Sequence, residues 1–495
     1  MTTHGPVAVA LRHPDKFFIG GQWVKPSSGS TFSVTDSDSE ELFLTVPEAQ
    51  AADIDAAVTA ARTAFDDGPW PRLSHAERAG YLRAIAAGMR LRPEDFGNIT
   101  PRQSGMTYGM ASGMTYMLAD AFDYYAGLAD TYAFEEAVPA SFGGYGLLVR
   151  EPVGVVGAII PWNGPLSLMT YKIAPALIAG CAVVVKSSPE SPGEAYVMAE
   201  IIEEAGLPPG VVNFVTADRE VSELLVRDPR VDKITFTGST AAGKRIASLC
   251  GERIARCTLE LGGKSAAVIL EDADIASAAG LLGTMECILA GQVCSSLTRI
   301  VVAGDRRHDE MVDALAGTFA QVKVGNPFAP DTQMGPLTSE RALTRVTGYI
   351  AKGAADGAKL AYGGGRPAGL DRGWYVEPTL FGDVDSRAVI AQEEIFGPVL
   401  SVIRARDEDD AVRIANDTSY GLNASVFTAD VDRARAVAGR LRSGTVGHNT
   451  MASDFGIGFG GFKQSGIGRE GGIEGLLPFL ESKTVILGEA PARYR

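Results

Sequence analysis

Short apolar runs alternate with helical patterns through the middle of the chain. The runs have the length of strands and are rich in β-branched residues, and they occupy residues 155–161, 181–187, 210–215 and 232–238. Strands separated by helices predict right-handed βαβ crossovers and therefore a parallel sheet. Open parallel sheets bind ligands at the carboxyl ends of their strands. The polar residues that follow these runs are therefore candidates for a binding site.

A second series of strand patterns lies in the C-terminal half, at residues 265–270, 299–304 and 397–403. It predicts an α/β fold with two sheets of comparable size and a boundary near residue 260. Residues 141–158 have the pattern of a β-ribbon, and residues 481–489 that of a strand. Such peripheral strands suit subunit association, and a hairpin at a domain edge is an equally good interpretation.

The segment 233–247, KITFTGSTAAGKRIA, reads as a strand, a glycine turn and a helix start. It contains most of a nucleotide-triphosphate loop, but a hydroxyl residue must follow the lysine to ligate magnesium. Arg245 occupies that position, which argues against a triphosphate loop. A helix N-terminus still favours a phosphate, and an ordinary strand-to-helix turn remains the alternative.

Composition narrows the class of protein. The chain has 495 residues, 46% of them hydrophobic, and a net charge of −15. This length predicts two or three domains, and the negative charge disfavours nucleic-acid and anionic-membrane partners. Neither a secretory signal nor an apolar run of membrane-spanning length is recognised. The five cysteines include no C-x-x-C pair, so we expect no disulfide frame, no metal site and a cytoplasmic location.

Two residues stand out as chemical candidates. Cys294 lies in a Gly- and Ser-flanked link between a helical stretch and a strand, where a side chain can face a cleft. Glu260 precedes a Gly–Gly pair. From the residues alone, a buried small hydrophobe and a solvated strand end are the competing interpretations. A cysteine hydrolase would need a histidine partner, and His448 is the candidate for it.

Taken together, seven segments occur in the order and spacing of the aldehyde dehydrogenase superfamily, and the chain resembles that family from residues 19–24 to 482–487. The segments are IIPWNGPL, VVVKSSPESP, ITFTGSTAAGK, LELGGKSA, GQVCSS, EEIFGPVL and GFGGFKQSGIGRE. The resemblance implies an NAD(P)-dependent, hydrolytic aldehyde dehydrogenase that forms a homodimer or homotetramer.

The same resemblance implies a Rossmann-type coenzyme domain, a second α/β catalytic domain and a small β oligomerisation element. The coenzyme domain would comprise residues 1–130 and 152–260, and the catalytic domain residues 261–458. The oligomerisation strands would lie in residues 131–151 and 478–495.

The resemblance also implies catalytic roles. Cys294 would attack the aldehyde as a thiolate to form a thiohemiacetal, whose oxyanion the Asn163 amide and the Cys294 backbone N–H would stabilise. Loss of hydride would leave an acyl-thioester, which Glu260 would hydrolyse by activating water. Lys172 would support proton relay behind the oxyanion region. Such a sequence makes chemical sense, because a free thiol has a pKa of about 8.5 and needs help to ionise at neutral pH.

For the coenzyme, the resemblance places Lys186 at the adenosine ribose, and Glu394 with Phe396 at the nicotinamide end. The turn at the pyrophosphate corresponds to Gly238, Ser239 and Gly243, and further coenzyme contacts to Ile159, Pro161, Trp162 and Leu261. In NAD-selective members an acidic residue stands three places after the lysine. Pro189 stands there in this chain, followed by Glu190. We therefore expect NAD as the coenzyme, with NADP tolerated.

The substrate positions follow from the same motifs. Tyr171 and Phe459 match aromatic tunnel positions, and the glycine-rich residues 456–461 line the substrate pocket in the family. Gly164 stands where many relatives carry an aromatic ring, which predicts a roomier pocket for a bulky apolar aldehyde. A CoA-acylating semialdehyde dehydrogenase, a cysteine hydrolase or esterase, and a non-catalytic binding protein are the alternatives. The presence of both Cys294 and Glu260 favours the hydrolytic dehydrogenase.

Overall fold

A computed structural model of the protein describes residues 11–451 and 454–494. Residues 1–10 of the predicted coenzyme domain, residues 452–453 of the predicted catalytic domain, and residue 495 of the last predicted strand segment lie outside the described residues.

Two hairpins and four helices begin the described chain. They are β1 (Phe17–Ile19), β2 (Gln22–Val24), β3 (Thr31–Thr35), β4 (Leu42–Pro47), α1 (Ala51–Asp66), α2 (His75–Arg90), α3 (Pro93–Ser104) and α4 (Tyr108–Thr131). Local sequence explains where α2 starts, since Ser74 accepts a hydrogen bond from the Glu77 amide while the Glu77 carboxylate accepts one from the Ser74 amide. This reciprocal capping satisfies amides that a helix start leaves free.

The predicted alternation of strands and helices follows. Its elements are β5 (Glu135–Val138), β6 (Tyr145–Pro152), β7 (Val155–Ile159), α5 (Pro165–Ala179), β8 (Ala182–Ser187), α6 (Gly193–Glu204), β9 (Val212–Thr216), α7 (Arg219–Arg227), β10 (Lys233–Thr237), α8 (Thr240–Glu252) and β11 (Arg256–Glu260). Every residue of β7 to β10 is buried. Strands covered on both faces have such continuous apolar sequences.

The second half repeats this alternation. Its elements are β12 (Ala266–Ile269), α9 (Ile275–Cys287), β13 (Arg299–Ala303), α10 (Asp305–Phe319), α11 (Glu340–Ala355), β14 (Lys359–Tyr362), β15 (Thr379–Gly382), α12 (Val389–Gln392), β16 (Val399–Ala405), α13 (Glu408–Asn416), β17 (Asn423–Phe427), α14 (Val431–Ala438), β18 (Thr445–His448), β19 (Gly466–Ile467), α15 (Gly472–Leu476) and β20 (Leu480–Leu487).

The first sheet has eight strands in the order β19-β11-β10-β7-β8-β9-β1-β2. Its five central strands are parallel, which confirms the predicted α/β fold. The strand alternation did not predict the antiparallel partners β1 and β19 at the two sides. The chain passes from β7 to β8 and β9 on one side and to β10 and β11 on the other. A crevice for ligands therefore opens at the carboxyl ends of β7 and β10.

The second sheet has seven strands in the order β14-β15-β16-β13-β12-β17-β18. All its pairs are parallel except β14 with β15. Each of the two large sheets has its own hydrophobic cluster. The chain crosses from one sheet to the other between β11 and β12, directly after Glu260.

A third, antiparallel sheet joins β20, β6 and β5. The predicted ribbon at residues 141–158 is therefore divided, because β6 belongs to this small sheet and β7 to the first large sheet. The hairpin β3–β4 stands apart. Within residues 11–451 and 454–494, no helix is both long enough and apolar enough to cross a bilayer.

Candidate active site

The crevice between the sheets contains two adjoining cavities. The first, of about 420 Å³, is lined by loops after β7, β10 and β11 and by residues of the second half, namely Pro161, Trp162, Asn163, Thr237, Gly238, Ser239, Leu261, Gly262, Cys294, Ser339, Arg341, Ala342, Arg345, Glu394 and Phe396. The second, of about 810 Å³, lies along β8 and α8 and includes Ile159, Lys186, Ser188, Glu190 and Ser239. Most residues predicted to contact the coenzyme thus meet in one crevice.

An unusual backbone turn carries Cys294. After α9, Leu289 and Ala290 both have φ of 51°, and Gly291 has φ of 70°. Left-handed conformations cost energy for residues with a Cβ and occur where surrounding contacts enforce them. A Cβ on Gly291 would lie 2.4 Å from the Gly397 carbonyl carbon. Only glycine fits there.

Gln292 anchors this turn from inside. Its side chain is fully buried, accepts a hydrogen bond from the Thr338 amide at 3.0 Å and donates to the Leu289 carbonyl at 2.9 Å. The Asn163 side-chain amide donates to the Gln292 carbonyl at 3.0 Å. Asn163 is thereby held beside the cysteine loop, and both Asn163 and Cys294 line the first cavity.

Cys294 lies in a desolvated and negative environment. Burial, and then the charges of Glu394 and Glu260, raise the pKa of its thiol to about 12, although the backbone amides of Cys294 and Ser295 act in the opposite direction. The thiol is therefore protonated at neutral pH. A reaction at the sulfur needs a group that accepts this proton.

Glu260 ends β11 and is buried, with 3% of its surface exposed. Among the described residues, neither of its carboxylate oxygens has a hydrogen-bond partner. Burial, with a contribution from the negative charge of Glu470, raises the pKa of Glu260 well above its ordinary value, while Lys172 and Arg469 lower it. A carboxylate with a raised pKa is a stronger base at neutral pH than an exposed one.

Glu260 does not line the first cavity, although its neighbour Leu261 does. A Cβ on Gly460 would lie 2.6 Å from Glu260 Oε1. The glycine-rich segment therefore passes directly against the carboxylate. This close approach explains why residue 460 is a glycine.

Lys172 lies behind this group, on α5. Its ammonium is fully buried, 2.5 Å from Glu470 Oε1, and donates a hydrogen bond to Thr237 Oγ1 at 2.6 Å. Glu470 was missed in the sequence analysis. The signal was weak, since Glu470 is one charged residue in a glycine-rich stretch, and the pairing of β19 with β11 brings it to the site.

The coenzyme candidates divide between the two cavities. Lys186 ends β8, and burial lowers its pKa to about 8. Ser239 caps α8 by accepting a hydrogen bond from the Ala242 amide at 3.3 Å. A Cβ on Gly243 would lie 2.4 Å from Leu261 Cδ2, so α8 packs tightly against the strand end. Arg245 pairs with Glu223 instead of entering the turn.

At the other end of the crevice, Glu394 Oε1 accepts a hydrogen bond from the Gly263 amide at 2.9 Å. Burial raises the pKa of Glu394. Phe396 has φ of 65°, and its ring meets that of Trp162 edge-on at 5.4 Å. These contacts join the loop before β16 to the loops after β11 and β7.

The predicted substrate residues lie apart from the two cavities. Tyr171 is buried on α5, with its ring centroid 4.8 Å from that of Phe455. Phe459 forms an antiparallel bridge with Glu470. Gly164 has φ of 151°, and a Cβ there would meet no atom within 4 Å. Space is therefore open at this position.

An apolar cluster adjoins the cysteine loop from α4. It consists of Met106, Ala111 and Leu289, with Met110, Met114, Ile288 and Val293 packed against them. Val293 immediately precedes Cys294. Methionine-rich surfaces adapt to irregular apolar shapes.

His448 shows no sign of acting with Cys294. Its Nε2 lies 3.0 Å from the Thr428 carbonyl oxygen and 3.1 Å from Asn449 Nδ2. In the described part of the chain, no hydrogen bond links it to the cysteine. These contacts of His448 do not support the Cys–His pair that a cysteine hydrolase requires.

Comparison with known proteins gives a consistent result. The profile of the aldehyde dehydrogenase family matches residues 23–485. The geranial dehydrogenase of Castellaniella defragrans is 45% identical over 471 residues, which cover 95% of this chain and 98% of that protein.

Two solved structures extend this similarity to the fold. A Mycobacterium tuberculosis aldehyde dehydrogenase complexed with NAD+ is 46% identical, with a TM-score of 0.94, covering 96% of this chain and 99% of that one. A mutant of aldehyde dehydrogenase C from Pseudomonas syringae, complexed with NAD+ and octanal, is 39% identical with a TM-score of 0.93, covering 98% and 99%.

Proposed function

Since the chain belongs to the aldehyde dehydrogenase family, we propose that it oxidises an aldehyde to the carboxylic acid with NAD as coenzyme and Cys294 as nucleophile. The observation that carries this proposal is the first cavity, in which Cys294 and Asn163 face Glu394 and Phe396. A thiol, an amide donor and the ends of parallel strands share one crevice. Glu260, buried at the end of β11, distinguishes hydrolysis from transfer to CoA.

The crevice fits a dinucleotide. Two adjoining cavities of about 420 and 810 Å³ share Ser239, which begins α8. The free amides of a helix start suit a pyrophosphate. A Cβ on Gly262 would lie 2.5 Å from Glu394 Oε2, so glycine keeps the strand end close to this carboxylate. When bound, NAD would supply the hydride acceptor. Lys186 would hold it at the adenosine ribose and Glu394 at the other end.

The first half-reaction begins at Cys294. Its sulfur attacks the carbonyl carbon and its proton passes to a base. We assign this base to Glu260, because its charge acts on the thiol and neither of its carboxylate oxygens has a hydrogen-bond partner among the described residues, whereas Glu394 already accepts a hydrogen bond from the Gly263 amide. The oxyanion of the thiohemiacetal receives hydrogen bonds from the Asn163 amide and the Cys294 backbone N–H. Removing one such donor typically costs about 3 kcal/mol in the barrier.

The second half-reaction hydrolyses the acyl-thioester. Glu260 deprotonates a water molecule, and its raised pKa makes it effective as a base near neutral pH. Lys172 and Glu470 form a buried ion pair behind it, with Thr237 as a third partner. The two charges of this ion pair act on Glu260 through space and in opposite directions.

The substrate is a bulky apolar aldehyde. Open space at Gly164 and the methionine-rich cluster beside Val293 support this. Geranial, in the name of one relative, and octanal, bound to another, are aldehydes of this type. Tyr171 and Phe459 lie outside the two cavities, so their assignment to the substrate rests on the family motifs alone.

The larger organisation follows the family. Residues 1–130 and 152–260 form the coenzyme domain and residues 261–458 the catalytic domain, as the separate hydrophobic clusters support. Strands in residues 131–151 and 478–495 join subunits of a homodimer or homotetramer. The full exposure of Phe142 and the 74% exposure of Ile486 support this role. The free cysteines are compatible with a cytoplasmic location.

The test is the formation of NADH, followed by absorbance, with a series of aliphatic, aromatic and terpenoid aldehydes. The proposal requires product acid in equal amount and no need for CoA. Turnover only in the presence of CoA would replace hydrolysis by acyl transfer. Ester cleavage without any coenzyme, in the absence of aldehyde oxidation, would replace the dehydrogenase by a hydrolase.

A further inference from the structure

Arg341 occupies a special place in the crevice. Of the described residues, it and Ser239 are the two that line both cavities. Ser239 begins α8 beside the first sheet, whereas Arg341 lies in the first turn of α11 in the second half of the chain. A molecule that extends from one cavity into the other therefore passes between a hydroxyl and a guanidinium.

Arg341 is joined across the crevice to Glu190. Its Nη2 lies 2.7 Å from Glu190 Oε1, and Ser188 donates a hydrogen bond to the other carboxylate oxygen. Burial alone would raise the pKa of Glu190, but the hydrogen bonds from Ser188 and from the backbone amide of Glu190, together with Arg341, lower it, so the group is an anion at neutral pH. The arginine side chain is 77% exposed. An ion pair so open to solvent contributes at most about 1 kcal/mol to stability, and Arg341 can exchange its partner at little cost.

The position of Glu190 relates this ion pair to coenzyme binding. Glu190 lines the second cavity with Lys186 and Ser188, next to Pro189, which replaces the acidic residue of NAD-selective relatives. The cavity thus still contains a carboxylate, displaced by one residue. Unlike a free carboxylate, it is neutralised by a guanidinium from the opposite wall.

Building on the proposed NAD-dependent function, we infer that the Glu190–Arg341 pair sets coenzyme selectivity. Glu190 alone would repel the 2′-phosphate that distinguishes NADP from NAD. Arg341 cancels this repulsion and offers the phosphate a planar donor fork, which matches phosphate geometry. Discrimination against NADP is therefore modest, and its size depends on Arg341.

The test compares Arg341→Gln, Glu190→Gln and the double variant with the parent enzyme. Dissociation constants for NAD and NADP are measured by equilibrium titration of tryptophan fluorescence, without substrate. We expect Arg341→Gln to weaken NADP relative to NAD by about tenfold, the value of one hydrogen bond to a charged group. Glu190→Gln should strengthen NADP relative to NAD, and the double variant should return toward the parent ratio.

Arg245→Gln is the matched control. Arg245 lines the second cavity and pairs with Glu223 at 3.0 Å, but does not line the first cavity. Its removal should leave the ratio near that of the parent. Equal changes of the NADP-to-NAD affinity ratio in Arg245→Gln and Arg341→Gln would show that any positive charge in the cavity has this effect, which would contradict a specific role of Arg341. An unchanged ratio in Arg341→Gln would overturn the inference. If the parent bound neither coenzyme, the proposed function itself would fail.

Discussion

Lys172 and Glu470 form a buried ion pair with 2.5 Å between Nζ and Oε1, although 298 residues separate them in the chain. Neither side chain lines the cavity of Cys294. Their charges act on Glu260 in opposite directions, since Glu470 raises its pKa and Lys172 lowers it. Burial raises the pKa of Glu260 most, and these two residues outside the cavity adjust it further.

Substitutions in this pair should move the pH profile in opposite directions. Lys172→Met removes a cation, so the acid limb of the kcat profile, which we assign to Glu260, should shift to higher pH. Glu470→Gln removes an anion and should shift it to lower pH. Steady-state rates from pH 5 to 10 measure both. Shifts of both profiles in the same direction would show that the ion pair has only a structural role. Each variant should also lose about 3–5 kcal/mol of unfolding free energy, because the remaining residue of the ion pair is left as an unpaired buried charge.

Cys294→Ala should abolish aldehyde oxidation, with a loss of kcat on the order of 10⁴-fold or more, as expected for a covalent nucleophile. Coenzyme affinity should change little, because the sulfur does not line the second cavity, where we place the adenosine of the coenzyme. NADH absorbance and a coenzyme titration measure the two effects. Cys287→Ala is the matched control, since Cys287 is buried in the core of the second half. Activity retained in Cys294→Ala would remove this residue from the nucleophile role.

Glu260→Gln should separate the two half-reactions. General-base assistance is typically worth 10²–10⁴-fold, so the variant should produce a burst of NADH near one equivalent per site and then turn over slowly. Stopped-flow absorbance follows the burst, and mass spectrometry should find the acyl group on the peptide that contains Cys294. If burst and steady state fall together, Glu260 also takes the thiol proton. Parent-like turnover would leave Glu260 without a catalytic role.

The same variant should be more stable than the parent at alkaline pH. An unfolded glutamate loses its proton near its ordinary pKa of 4.5, whereas folded Glu260 holds it to a higher pH. The parent therefore loses stability as the pH rises from 4.5 toward the folded pKa, and glutamine does not. From pH 5 to pH 8 the difference in unfolding free energy between the variant and the parent should grow steadily. Urea denaturation measures it, and exposed Glu252→Gln should show no such trend. A constant difference would contradict the raised pKa.

Longer aldehydes should be better substrates. Each buried methylene contributes about 0.8 kcal/mol, so kcat/KM should rise several-fold per carbon from acetaldehyde toward octanal until the apolar site is filled. Met114→Ser should flatten this trend, because Met114 packs in the cluster beside Val293. Met285→Ser, on α9 outside that cluster, is the control. A profile independent of chain length would refute the apolar pocket.

The central strands and their helices could be predicted from the amino-acid sequence alone. Strands β7 to β10 are buried throughout, and such strands need continuous β-branched apolar runs that are visible without any structure. The motifs around Cys294, Glu260 and Asn163 also indicated the family. Two constraints limit which residues can stand in these segments, namely the close approach of backbone segments and the proposed chemistry. Gly291 and Gly243 illustrate the first constraint, since a side chain at either would collide with its neighbours.

Long-range packing of the folded chain determines which distant groups surround those motifs. Strand β19 has two residues and β1 has three, which is too short for a periodic signal, so their edge pairing depends on the completed sheet. Pairing of β19 with β11 brings Glu470 close to Lys172. From that position, the negative charge of Glu470 raises the pKa of Glu260. Likewise, α11 brings Arg341 to Glu190 across the crevice. The pKa values of the site follow from such long-range contacts and from burial, because charge interactions depend on distance in space and not on separation along the chain.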